Sequence, residues 1–87
     1  MKSKVFAIYD SKMKSYQQPQ TFRTTEQGIR AFANSCKEQK SQLSMNPEDY
    51  SFHELGEFCD ETGDLIKHMA PNSVARALDY TQEIPQA

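Results

Sequence analysis

The clearest element in this chain is a helix over residues 25–39, and the rest of the fold has to be built around it. Thr24 reads as its N-cap, with Gln27 three residues on completing a capping box. Ile29, Phe32, Ala33 and Cys36 follow at the i, i+3, i+4, i+7 spacing of one buried stripe. Arg30, Asn34 and Lys37 form a basic and polar stripe beside it, roughly aligned with Arg23. Gly28, Ala31 and Ser35 are expected on the other flank as a low-relief surface.

The partners for that stripe are short and β-rich. Lys4-Val5-Phe6-Ala7-Ile8-Tyr9 reads as an inner strand, ended by the turn signal Asp10-Ser11. Residues 11–19 are a polar, exposed connection, and Gln20-Thr21-Phe22-Arg23 returns behind Pro19 as a short antiparallel strand. Asn46-Pro47-Glu48-Asp49 is a single capped turn with proline at its first helical position. A second hairpin runs from Tyr50 to Phe58, turns at Asp60-Glu61-Thr62-Gly63 and returns through Leu65-Ile66-Lys67-His68-Met69. Its first arm changes phase, with Phe52 and Phe58 on one side and Leu55 on the other, so a bulge is expected at Gly56. Pro71-Asn72-Ser73 is read as opening a second helix in which Val74, Ala77 and Leu78 share a face. The expected fold is α+β: a small antiparallel sheet of two hairpins with helices packed on it, in the order ββαββα. Residues 1–80 are taken as one domain and 81–87 as a flexible C-terminal tail.

Composition narrows the function classes. The chain has 87 residues, 37% of them hydrophobic, so the core is lean and a dimer is a natural way to gain stability. Nothing resembles a membrane span or a secretion signal, and two cysteines make no disulfide framework. A soluble cytoplasmic protein with reduced thiols is the simplest reading. No G-x-G-x-x-G, Walker loop, His-x-x-x-His or Cys-x-x-Cys spacing occurs, so no enzyme, cofactor or metal is expected. His53 and His68, amid Glu54, Glu57 and Asp60, offer the one conceivable metal site, and two ordinary strand histidines are the simpler reading.

The net charge is -2, but it is divided. Residues 1–40 carry eight Lys/Arg and three Asp/Glu, and residues 41–87 carry two and nine. Lys12, Lys14, Tyr16, Arg23, Arg30, Lys37 and Lys40 supply cations for phosphates and an aromatic ring for stacking, the chemistry of single-strand nucleic-acid binding. Glu54, Glu57, Asp60, Glu61 and Asp64 form the candidate acidic surface for a basic partner, or for the basic end of a second copy.

Several segments carry a resemblance. They are Ile8-Tyr9-Asp10-Ser11-Lys12, Ala31-Phe32-Ala33 and Asn46-Pro47-Glu48-Asp49-Tyr50, then Glu54-Leu55-Gly56-Glu57-Phe58 with Asp60 and Thr62-Gly63. In this order, over residues 4–80, the chain resembles the small non-structural protein of gokushoviruses, single-stranded DNA phages of the Microviridae. Cys59 departs from that pattern, where an acidic residue is more usual. The resemblance implies a counterpart of the packaging-switch protein of coliphage-type microviruses. Such a chain is a non-enzymatic, DNA-associated adaptor in viral genome replication and packaging. Its implied partners are single-stranded DNA, the phage replication initiator or the capsid precursor. A protein-interaction module aimed at a host or phage protein, without DNA binding, is the alternative.

Overall fold

The computed structural model describes residues 1–38 and 40–81. Its elements are β1 (Lys2–Asp10), β2 (Ser15–Tyr16), β3 (Gln20–Phe22), α1 (Thr25–Lys37), α2 (Gln42–Met45), a 3₁₀ turn (Pro47–Asp49), β4 (Tyr50–Cys59), β5 (Leu65–Arg76) and α3 (Leu78–Thr81). Among the described residues, the five strands form one antiparallel sheet. β4 lies beside β1, and β5 lies outside β4. On the other side of β1, β3 pairs its first half and β2 its end. The two expected hairpins are therefore joined through β1 and β4, and the class is α+β. No helix among the described residues is long and apolar enough to cross a membrane.

α1 begins as its sequence dictates. The Thr24 hydroxyl accepts from the Gln27 amide at 3.1 Å, and the Gln27 side chain accepts from the Arg23 amide at 3.2 Å. The box thus closes one residue earlier than its simplest form. Phe32 and Cys36 are buried along the expected stripe. Gly28 is buried with them, which corrects its expected place on an exposed flank. A Cβ there would meet the rings of Phe6, Phe22 and Phe52, each at 3.2 Å, so glycine lets the helix sit directly on the aromatic core. Phe52 is the centre of that core. Its ring stacks with Phe6 at 5.0 Å and with Phe32 at 4.8 Å. Phe22 meets Phe6 edge-on, and Tyr80 meets Phe32 the same way.

The polar stretch before the 3₁₀ turn holds a short helix that its residues do not announce. Ser41 caps α2 by accepting from the Ser44 amide, Leu43 is buried, and the Gln42 side chain accepts a hydrogen bond from the Tyr50 hydroxyl at 3.0 Å. The hairpin turn forms as expected: Gly63 takes a left-handed φ of +79°, and its amide donates to the Cys59 carbonyl at 2.7 Å.

Pairing along β4 is interrupted next to Gly56. Val5 pairs with Gly56 and Phe6 with Glu54, so Leu55 is the extra residue of a bulge. Gly56 is needed there, because a Cβ would collide with the Ile66 carbonyl oxygen. The bulge does not return Phe58 to the side of Phe52. Phe58 pairs with Ser3 and Leu65, which puts it by alternation on the side of Val5.

The largest correction concerns residues 71–76. They are the second half of β5, not a helix: Asn72 pairs with Glu54, Ser73 with His53, Ala75 with Phe52 and Arg76 with Ser51. The ladder satisfies backbone groups that the lone helical turn would leave open, and it buries Ala75 in the core. Pro71 falls in an excursion of residues 68–71 opposite Leu55, at the outer edge of the sheet, where its missing N–H costs no ladder bond. The helix starts later, at Leu78, and it takes in Thr81, the first residue of the expected tail. The rest of that tail, 82–87, and Gln39 of the expected first helix lie outside the described residues.

Candidate nucleic-acid interface

Alternation along the strands sends Phe6, Ile8 and Phe52 towards α1, and it sends Val5, Ala7, Tyr9 and His53 to the opposite, helix-free face. Tyr16 joins that face by pairing with Tyr9. Three rings meet there: Tyr9 and Tyr16 at 4.7 Å, Tyr16 and His53 at 5.7 Å, Tyr9 and His53 at 5.9 Å. Tyr16 is 43% exposed, so the cluster remains open to solvent at this residue. His53 Nε2 is hydrogen-bonded to Ser51 Oγ at 2.8 Å, while its Nδ1 is buried without a hydrogen-bond partner among the described residues.

Lys12 and Lys14 occupy the turn that leads into β2. Neighbouring residues set this turn: the Asp10 carboxylate accepts from the amides of Lys12 and Met13 at 2.9 and 3.2 Å. Ser11 ties it to the 3₁₀ turn by donating its amide to the Asp49 carbonyl at 2.9 Å. Both lysines are exposed. An exposed ring backed by two others, with two cations on the adjoining turn, can stack a base and neutralise the phosphates beside it.

The other sequence candidates do not converge on this spot. Arg30 and Lys37 are exposed on α1, in the layer on the opposite face of the sheet, and Lys40 follows that helix. Arg23 lies towards the far end of β1, where the Met1 ammonium and, to a lesser degree, Arg23 hold the Asp60 carboxyl below its ordinary value. Tyr9 and His53 complete the ring cluster, although the sequence offers His53 only as a conceivable metal ligand and Tyr9 only as one aromatic of the basic half. The signal that finds them is alternation along β1 combined with the β1–β4 register.

Among the acidic candidates, Glu54 is corrected from a surface residue to an interior one. It is 8% exposed and lies on the side facing α1. Its Oε2 accepts from His68 Nε2 at 2.8 Å and lies 3.7 Å from the Lys4 ammonium, and its Oε1 accepts from the Thr25 hydroxyl at 3.4 Å. Asp60 pairs with the Met1 ammonium at 2.7 Å, with Glu61 at 3.7 Å. Glu57 is half-buried, while Glu61 and Asp64 are exposed at and beside the hairpin turn. His53 and His68 thus serve opposite faces, and the described residues contain no group of three or more His, Cys, Asp or Glu side chains placed to hold a metal ion.

Two of these groups tie stability to pH. Burial holds the His53 imidazole below its ordinary 6.5. For Glu54, burial opposes ionisation, but the His68 hydrogen bond, the Lys4 charge and the Thr25 hydroxyl together hold the carboxyl below 4.5. Both groups bind protons more tightly in the unfolded chain. Their contribution is therefore complete above each ordinary value and is lost as pH falls through the folded one. Thermal melts should lose stability in two legs on acidification, from about pH 6.5 and again from about pH 4.5. A wild-type melting temperature unchanged between about pH 7 and pH 5 would contradict the His53 assignment, and a second leg undiminished in Glu54→Gln would contradict that of Glu54.

The family model of the Phage ORF5 protein matches residues 3–80. The chain belongs to that family. The match takes in α1, β1 from its second residue, the other four strands and most of α3, so the ring cluster, the lysine turn and the acidic hairpin of this chain all lie inside the family's span. No curated protein and no solved structure matches it.

Proposed function

We propose that this phage protein is the gokushovirus-type non-structural protein, a non-enzymatic adaptor that holds single-stranded DNA during genome replication and packaging in the host bacterial cytoplasm. The observation that carries the reading is the exposed Tyr16 ring, packed against Tyr9 and His53, beside Lys12 and Lys14. Its second function is to deliver that strand to a phage protein, the replication initiator or the capsid precursor, through the exposed carboxylates of the hairpin turn.

Fluorescence anisotropy with a labelled single-stranded oligonucleotide tests the DNA contact. Tyr16→Ala should weaken binding by about 1–3 kcal/mol, the usual worth of one base on an aromatic ring. Lys12→Ala with Lys14→Ala should lower the slope of log K against log salt by about 1.4, or roughly 0.7 for each phosphate left unneutralised. Arg30→Ala with Lys37→Ala should leave the affinity nearly unchanged. No binding by the wild type at low salt would sink the reading and favour the protein-interaction module.

A further inference from the structure

Antiparallel sheets that face water on one side are polar there. This one is not. From Tyr16 of the ring cluster, the helix-free face opens into a groove of about 420 Å³, lined in large part by Val5, Pro19, Leu55, Leu65, Ile66 and Pro71. Leu65 is 73% exposed and Ile66 50%.

We infer that a second copy of this chain covers the groove, related by a two-fold axis that passes through it. Charge selects this occupant. The groove is centred near the Val5–Gly56 pair, and the two ends of the sheet lie on either side of it. One end carries the Lys12–Lys14 turn, and the other carries Glu61 and Asp64 at the hairpin turn. At about 3.3 Å per strand residue, each end lies roughly 15–20 Å from that centre. A two-fold axis lying between the two sheets and perpendicular to their strands exchanges the ends, so the acidic turn of each copy meets the basic turn of the other. The same patch then complements itself, as an isologous interface requires. A parallel stacking would instead oppose like charges. A polyanion or an acidic protein would meet the exposed Glu61 and Asp64 carboxylates, which outnumber the Met1 ammonium 3.7 Å from Glu61, whereas a second copy satisfies both ends and the apolar centre together. Self-association and single-stranded DNA then draw on the same two lysines. The inference itself rests on the groove and the charge layout, not on the DNA reading.

Sedimentation velocity at micromolar concentration tests it without DNA. The wild type should run at twice the chain mass, and more weakly dimerised at high salt. Leu65→Asp should make it monomeric while its circular dichroism spectrum stays that of the folded chain, because that side chain lies outside the core; its melting temperature should then lose the concentration dependence that association gives the wild type. Glu61→Lys with Asp64→Lys, or Lys12→Glu with Lys14→Glu, should each weaken the dimer by about tenfold or more, the usual scale for like charges brought together. The chain carrying all four changes should recover most of the affinity. A monomeric wild type overturns the inference and leaves the groove to DNA or to another protein. A dimer indifferent to Leu65→Asp overturns the face, and failure of the four-residue variant to recover overturns the two-fold register.

Discussion

Phe52→Ala is expected to cost about 3–5 kcal/mol, the usual penalty for truncating a buried phenylalanine. Phe52 is 4% exposed, and its ring is stacked on both sides, with Phe6 from β1 and Phe32 from α1. Removing it separates the helix from the sheet at the point where they are most closely joined. The cavity cannot close easily, because Gly28 already brings the helix backbone as near as the three rings allow. Small domains hold only about 5–15 kcal/mol in total, and a chain this short belongs near the lower end. At about 4–8 °C per kcal/mol for a domain of this size, the melting temperature should fall by roughly 12–40 °C. Circular dichroism would read this directly. A drop of less than about 5 °C would mean that the stacked triplet is not the centre of the core.

Gly56→Ala is expected to destabilise by about 1–3 kcal/mol or more, through overpacking rather than through a cavity. The new methyl would strike the Ile66 carbonyl oxygen and crowd the Lys67 Cα, and backbone cannot rotate aside as a flexible side chain would. Relief requires β4 and β5 to part where Gly56 pairs with Lys67. Gly63→Ala is the informative comparison. It has open space around it, but its φ of +79° puts an L-residue in the left-handed region, at roughly 1–2 kcal/mol. Urea midpoints should therefore rank Gly56→Ala as the more damaging of the two. Faster amide exchange at Ile66 and Lys67 should accompany it alone. The reverse ranking would mean that the two strands are not in close approach at Gly56.

What the sequence reveals about this fold is what residues decide within a turn or two of chain. The Thr24 cap, the stripe through Phe32 and Cys36, proline at the start of the 3₁₀ turn, Gly63 and the bulge beside Gly56 are all of this kind. Residues 71–76 fail because Pro-Asn-Ser is locally a good helix start. The ladder that overrides it is formed with residues 51–54, about twenty positions away. α2 escapes because Leu43 is the only buried residue it contributes. Gly28 looks like exposed relief until three aromatic rings, from β1, β3 and β4, converge on it. The same division applies to the site. Lys12, Lys14 and Tyr16 stand out as a basic, aromatic connection, but which cations share a face depends on the sheet. The sheet gives Arg30 and Lys37 to the far layer, adds His53 through pairing with Ala7, and takes Glu54 inside.

The excursion at residues 68–71 also bears on how the molecule avoids aggregation. β5 spans twelve residues at the margin of the sheet, a length that would ordinarily template strand-to-strand growth of one chain upon another. The excursion breaks that margin into two short runs, and Pro71 withholds a donor where a joining strand would need one. Open-ended polymerisation along the backbone is thereby discouraged. β2 and β3, at the other margin, offer a joining strand only two and three residues, so the route left for copies to meet is across a face, where contact closes after two.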